Sequence, residues 1–453
     1  MYVGADVLQN YNNNNSTNTN IPVPVGHFIH GGSYVNGNGS QYESAALVNY
    51  WDGKGIMVTS NYRLNLFGFL GGVEMTINDA KDGSTGNYGI QDQRMAMIWV
   101  KENIGAFGGD SSNVLIFGES AGAGSMSCHL AMKKSWGLFS KVILESGAFS
   151  QWVMQPMSVA QSKYDIVKST VGCANLDCLM KMDAQVLFDK TSAITFPESF
   201  GYGDYAPVVD GVEISTHPFI SVANGDIADV PILHGSNTDE GTMFTPPTIT
   251  KSASIDGVKK MWESVGFDAD RLEAIYITGK EYPTEESGAT AAYYAAERSV
   301  GDWMFGCPAK YTADTVSKHY NAGALKNAKT FFYHFEHITN GKSFVAHASE
   351  LIYVFHMDYL MNGVQKDEKM ADVMSTYWGN FLLSNDPNVE KVGMSLFPKF
   401  PVWELYSEDN IYVQAQKQNA NGGVLGLTKF KTEECNYFIP FIARMIEADF
   451  PQQ

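Results

Sequence analysis

Basic residues are scarce in this chain. Lys and Arg number 31 against 49 Asp and Glu in 453 residues, a formal net charge of −18. That balance excludes a nucleic-acid partner and an anionic membrane surface as natural ligands, and it mildly favours cationic ligands. No apolar run reaches the roughly 20 residues of a membrane span. The opening Met1-Tyr2-Val3-Gly4-Ala5-Asp6 lacks the basic-then-apolar order of a secretory leader. Cysteine is rare, with five in all: Cys128, Cys173, Cys178, Cys307 and Cys435. Cys173 and Cys178 bound a short loop that a disulfide could close. No further ligands stand near them, so no metal site is expected. Internal repeats and an apolar lid segment are also missing. What remains is an ordinary apolar share, 44 %, and a length suited to one large α/β domain or two to three small ones.

The most informative stretch is Phe117-Gly118-Glu119-Ser120-Ala121-Gly122. Before it, Asn113-Val114-Leu115-Ile116-Phe117 is apolar and too short for a helix, so it reads as a buried strand. After it, residues 123–132 are free of proline and rich in small side chains, and read as a helix. A Gly-x-Ser-x-Gly between strand and helix is the context of a nucleophile elbow. The bend strains the Ser120 backbone, and a side chain at position 118 or 122 would obstruct it. Ser120 then meets the positive end of the helix, where a developing anion is favoured. The plainer alternative is a strand-to-helix turn with a capping serine.

Strand and helix patterns alternate through the first half. Val23–Ile29, Gly55–Asn61 and Val142–Gly147 read as strands, and Gly89–Arg94 opens a helix with an apolar face through Met95, Ile98, Trp99 and Ile104. The order implies an α/β fold with a mainly parallel central sheet flanked by helices. Beyond Ser150 the pattern is largely helical over 155–320, interrupted by a short strand at Asp229–Gly235. A strand at Thr330–Phe335 and helices at 366–384 and 433–448 follow. Residues 10–20 are an Asn-rich run that reads as a disordered surface loop, with sequons at Asn14 and Asn15; a third is at Asn38.

A nucleophilic serine needs a base, and the base needs an acid. Asp239 and Glu240 follow a strand downstream of the elbow and are the acid candidates; each could also be a solvated turn residue. The downstream histidines are His319, His334, His337, His347 and His356. His347, in the small-residue loop Ala346-His347-Ala348-Ser349, suits a side chain reaching back over the sheet edge. The glycine-rich turn His30-Gly31-Gly32-Ser33-Tyr34, after the first strand, could aim backbone N–H groups at an oxyanion.

These segments, taken together, resemble the type-B carboxylesterase family, which includes the cholinesterases. The resemblance rests on Gly118–Gly122 preceded by Phe107-Gly108-Gly109-Asp110, and on Asn61-Tyr62-Arg63 with Phe67-Gly68-Phe69. Gly86-Asn87-Tyr88-Gly89 with Asp92-Gln93, Asp239-Glu240-Gly241, and His347 followed by Glu350-Leu351 complete it. It runs from about residue 23 to the C-terminal helix. It implies an α/β-hydrolase fold in a single domain over 1–453, and a serine hydrolase of small-molecule carboxylic esters that needs no cofactor and no metal. It implies Ser120, His347 and Glu240 as nucleophile, base and acid, and an oxyanion hole from the N–H groups of Gly32, Ser33 and Ala121. It also implies Trp152 in the acyl pocket, an Arg63–Asp92 ion pair, disulfides Cys173–Cys178 and Cys307–Cys435 with Cys128 free, and a secreted or secretory-lumen glycoprotein.

The departures from the family pattern are specific. Ser33, Asn65 and Ala348 stand where glycine is usual, and the leading segment with its first disulfide and entrance aromatics has no counterpart here. The expectation is therefore an N-terminally short or divergent member. A rival reading follows, in which the chain is a catalytically impaired relative with an adhesive or structural role.

Overall fold

Alternate residues along the central strands face opposite layers, and this period of two decides where each helix docks. Within the strand Gly109–Glu119, Val114 and Ile116 join one apolar layer, while Leu115 and Phe117 join the other. Such runs, apolar on both faces, mark a sheet covered on both sides. The computed structural model describes residues 1–5, 7–8, 21–78, 81–196, 202–388, 400–407, 413–416 and 424–451. The Asn-rich run 10–20, with Asn14 and Asn15, lies outside the described residues.

Among the described residues eight strands form the main sheet. In chain order they are β1 (Val23–Ile29), β2 (Ile56–Ser60), β3 (Gly109–Glu119), β4 (Lys141–Glu145), β5 (Ile232–Asn237), β6 (Thr330–Phe335), β7 (Val413–Gln416) and β8 (Val424–Leu427). Their spatial order is β8-β7-β6-β5-β4-β3-β1-β2, with every neighbouring pair parallel except β7–β8. At the β2 edge, Tyr2 forms an antiparallel bridge to Met57.

Three helices, α1 (Tyr88–Asn103), α2 (Ala121–Ala131) and α5 (Cys307–Asn321), pack in the first layer. The second layer is covered by α6 (Gln365–Ser384) through Met370, Met374, Trp378 and Phe381. A third cluster joins α3 (Ile255–Val265) and α4 (Ala291–Gly301) to the final helix, α7 (Thr432–Asp449), through Trp262, Ala295, Phe438 and Ile442.

Two expectations need correction. Met95 and Trp99 are 62 % and 45 % exposed, so they do not belong to the buried face of α1. The inward stripe is Ile90, Gln93, Met97 and Val100. It includes a polar residue because Gln93 is satisfied inside, donating to Ser125 Oγ at 3.0 Å and facing His129 Nε2 at 3.1 Å. Strands β7 and β8 were also not foreseen. The segment Val413-Gln414-Ala415-Gln416 has weak strand propensity, and the free edge of β6 supplies the ladder it pairs with.

Four histidines are fully buried. His129 faces Gln93 and Ser135 Oγ, and His217 accepts from the Phe219 N–H at 3.1 Å while its Nε2 faces Gln151 O. His27 Nε2 is 2.8 Å from Ser60 Oγ, and His234 stacks on Phe332. Burial lowers His27 to about 4 and His129, His217 and His234 to about 3. Unfolding returns each ring to a value near 6.5, so below that pH the unfolded chain binds protons that the folded chain refuses. The stability these four rings contribute is therefore complete above pH 6.5 and declines as pH falls towards 4, by about 1.4 kcal/mol per unit for each ring. His234→Phe removes one such ring, so in the folded variant the difference in urea unfolding free energy between pH 5.5 and 7.5 should shift by about 1.4 kcal/mol in favour of pH 5.5; an unchanged difference would contradict this.

Candidate active site

The elbow is built by contact between two strand ends. A Cβ on Gly118 would lie 2.6 Å from Ile29 O, and one on Gly122 only 2.1 Å from it, so neither position admits a side chain. Between them Ser120 takes φ 56° and ψ −124°, a region sparsely populated by non-glycine residues. The Ser120 N–H donates to Glu145 O at 2.9 Å, and Ser120 O accepts from the Gly124 N–H at 2.8 Å. Ala121 opens α2, so its N–H lies in the first helical turn, where donors lack an intrahelical partner.

The turn after β1 lies directly against this bend. A Cβ on Gly31 would sit 2.7 Å from Glu119 O and 2.9 Å from Ser120 Cβ. The turn closes on itself, with the Val35 and Asn36 N–H groups donating to Gly32 O at 3.0 and 3.1 Å. Gly32 has φ 105°, and Ser33, where the family pattern has glycine, has φ 54°. The other two departures behave alike: Asn65 has φ 46° and Ala348 φ 65°. The backbone at all three positions keeps the left-handed form that glycine takes freely, and the substituted side chains accept it at a cost.

His347 is brought to the acid candidate from a separate loop. Its Nδ1 is 2.6 Å from Glu240 Oε2. Glu240 is held on its other oxygen, where Oε1 accepts from Ser146 Oγ at 2.5 Å and from the Asn237 N–H at 2.6 Å. On the far side of the ring, His347 Nε2 is 2.9 Å from Glu119 Oε1, an ion-pair contact whose alignment falls short of a hydrogen bond. Among the described residues no hydrogen bond joins His347 to Ser120; the imidazole faces the residue immediately before the serine. Burial alone would lower the His347 pKa, but the Glu119 and Glu240 carboxylates outweigh it and hold the ring well above its ordinary value. Phe244 meets the ring edge-on at 4.9 Å, and Phe305 packs at 4.7 Å.

Ser33, Ser120 and Trp152 open onto a cavity of about 390 Å³. Its walls include Tyr34, Tyr205, Phe244, Met261, Phe267, Trp303 and Phe305, and among the described residues none that lines it is charged. Trp152 is fixed by its Nε1–H, which donates to Met304 O at 3.0 Å. Met304 belongs to a π-helical turn, Asp302–Gly306, that carries Trp303, Met304 and Phe305 to the cavity.

The remaining expected residues fall into place away from the cavity. Arg63 and Asp92 form a bidentate pair at 2.7 and 2.8 Å. The Arg63 side chain is about half exposed, so the pair is a surface one of modest value. Cys173 bonds to Cys178 and Cys307 to Cys435, and Cys128 is a buried free thiol. His334 and His337 are satisfied core groups, against Ser236 O and Asp367 Oδ1 respectively. His319 faces Ala223 O, and His356 lies between Asp358 and Asp372.

Sequence reasoning missed Ser146 and Asn237 as supports of Glu240. One signal was available: both sit at carboxyl ends of parallel strands, the edge where α/β sheets gather functional groups. Glu350, which accepts from Asn237 Nδ2 at 2.5 Å, and Glu145, which accepts from Trp378 Nε1 at 2.9 Å, were also not assigned. Burial, with the neighbouring carboxylates, raises the pKa of both.

A mainly parallel sheet with this elbow defines an α/β-hydrolase. The solved structure of a carboxylesterase from Geobacillus stearothermophilus matches it with a TM-score of 0.76 and 28 % identity, over 92 % of this chain and 83 % of that one. The model of the carboxylesterase family matches residues 7–438, and the chain belongs to that family. Acetylcholinesterase 1 of Caenorhabditis briggsae is 30 % identical over 76 % of this chain and 60 % of its own length. The acetylcholinesterase of Danio rerio is 27 % identical over 92 % of this chain and 72 % of its own. This chain thus spans less than two thirds of the first of these relatives.

The left-handed positions predict a graded response to glycine. Ala348→Gly should stabilise the protein by about 1 kcal/mol, whereas Asn65→Gly should change little, since asparagine tolerates this backbone. Urea midpoints measure both, and a destabilised Ala348→Gly variant would refute the strain.

Proposed function

We propose that this protein is a serine hydrolase of neutral, apolar carboxylic esters, with Ser120 as nucleophile, His347 as base and Glu240 as the group that orients it. The observation that carries this reading is the conjunction at one strand edge. A serine in an elbow conformation directly follows Glu119, whose carboxylate is 2.9 Å from an imidazole nitrogen, and the other nitrogen of that ring is held 2.6 Å from a fixed carboxylate. His347 accepts the Ser120 proton as the hydroxyl attacks the ester carbonyl, and then returns it to the leaving alcohol. Water hydrolyses the acyl-enzyme by the same route. The N–H groups of Gly32, Ser33 and Ala121 hold the oxyanion, each worth about 3 kcal/mol in the barrier. Ser33 keeps a left-handed backbone like that of glycine, which weighs against an impaired relative. The uncharged lining supports an apolar ester rather than a charged one, with Trp152 shaping the acyl side. A secretory route is supported by the two disulfides.

Ser120→Ala should lower kcat on a short-chain aryl ester by at least about 10⁴-fold and abolish labelling by an organophosphonate; retained turnover would end the proposal. The Glu119 contact adds a pH signature. A base held protonated by two carboxylates must lose that proton to act, so the acid limb of kcat/KM should lie above pH 6.5. Glu119→Gln removes one stabilising charge, lowers the His347 pKa and should move that limb to lower pH. An unmoved limb in a folded variant would show that Glu119 does not act on the ring.

A further inference from the structure

Glu240 and His347 belong to loops 107 residues apart in sequence, so their contact depends on how those loops are registered. The register is made at Asp239. Its N–H donates to Val345 O at 2.9 Å, and its Oδ2 accepts from the Val345 N–H at 2.7 Å. A parallel bridge pairs Asp239 with Ala346. One side chain therefore ties the residue before the acid to the segment just before the base.

The Asp239 carboxylate is only 4 % exposed, and a buried charge requires a partner. Arg298 supplies it, with Nη2 2.6 Å from Asp239 Oδ1. Arg298 is anchored in turn by its Nε–H, which donates to Glu297 Oε1 at 2.9 Å. Both residues come from α4, and that helix presses on the acid loop as closely as a backbone can. A Cβ on Gly241 would fall 1.8 Å from Glu297 O, and one on Gly301 3.1 Å from Glu240 Cβ.

We propose that Arg298 is a positioning residue for the candidate site, acting through Asp239 to hold Glu240 at hydrogen-bond distance from His347. Arg298 touches neither the serine nor the cavity. Its role is to fix the spacing of the two loops, and this inference rests on the assignment of Ser120, His347 and Glu240 above. The titratable groups facing His347 are Glu119 from β3 and Glu240; Glu350 follows in its own segment, and Asp239, Arg298 and Glu297 form the layer behind Glu240, with burial raising the pKa of Glu350 and Glu297.

The test compares Arg298→Met, Arg298→Lys and Asp239→Asn in the full chain. Aryl-ester kinetics across pH, stoichiometric organophosphonate labelling and thermal midpoints are measured for each. Arg298→Met should lower kcat at least tenfold with KM within twofold, since small misplacements of catalytic groups carry large rate costs. The acid limb of its profile should move towards 6.5 as the Glu240 charge recedes. Asp239→Asn should reproduce this, the double variant should be no worse than either single one, and Arg298→Lys should recover most of kcat. A folded Arg298→Met with parental kcat and acid limb overturns the proposal, even if its melting temperature falls. Should Arg298→Met not fold, parental kcat and acid limb in Asp239→Asn overturn it equally. A parent chain with no Ser120-dependent hydrolysis and no labelling removes the assignment of the site itself, and the positioning role falls with it.

Discussion

The contact of Ile29 O with the two elbow glycines is the constraint on which the site depends. A carbonyl 2.1–2.6 Å from where two side chains would begin leaves one solution for the backbone, in which Ser120 is turned out at the end of β3. The same closeness lays the Gly31–Ser33 turn against Ser120, because β1 and β3 are parallel neighbours in register from Val25–Val114 to Ile29–Gly118. The candidate nucleophile and candidate oxyanion donors are thus set by one strand pairing rather than by two independent loops. That arrangement puts the candidate donors at the ends of two central strands, each paired on both sides, where preorganised electrostatic stabilisation would be held in place.

Around that contact the strand ends collect negative charge. Glu119, Glu145, Glu240 and Glu350 are all nearly fully buried, with a single imidazole between two of them. Two devices keep this tolerable. Donors are concentrated on the carboxylates, as with Ser146 and Asn237 on Glu240. Glu145 and Glu350, by contrast, have raised pKa values, so their burial need not put two further charges in the core. The result is an imidazole in a strongly negative field, which favours its cation.

Much of this was legible in the residues alone, and the reason is local. Gly118 and Gly122 report a steric demand directly, and alternating strand and helix patterns report the parallel sheet. The strands at Val23–Ile29 and Thr330–Phe335 were readable because their apolar runs end in turn residues. Glu240 and His347 were readable as loop residues after strands. What stayed hidden acts at a distance. Ser146 and Asn237 matter because neighbouring strands end at the same edge, which becomes visible only once strand order is known. Met95 and Trp99 misled because α1 has apolar residues on more than one side and its inward stripe carries a satisfied glutamine. Strands β7 and β8 have little intrinsic preference and owe their form to the edge beside them.

The π-helical turn 302–306 carries a further consequence. It forms a wall of the cavity, and the next residue, Cys307, is bonded to Cys435 of the final helix; the neighbouring Lys431 pairs with Asp302. The shape of the cavity is therefore fastened from outside, by a cross-link to an element that contributes nothing to the elbow. Because Phe305 of the same turn packs on the His347 ring at 4.7 Å, the strap bears on the cavity's outline and on the seating of the imidazole together.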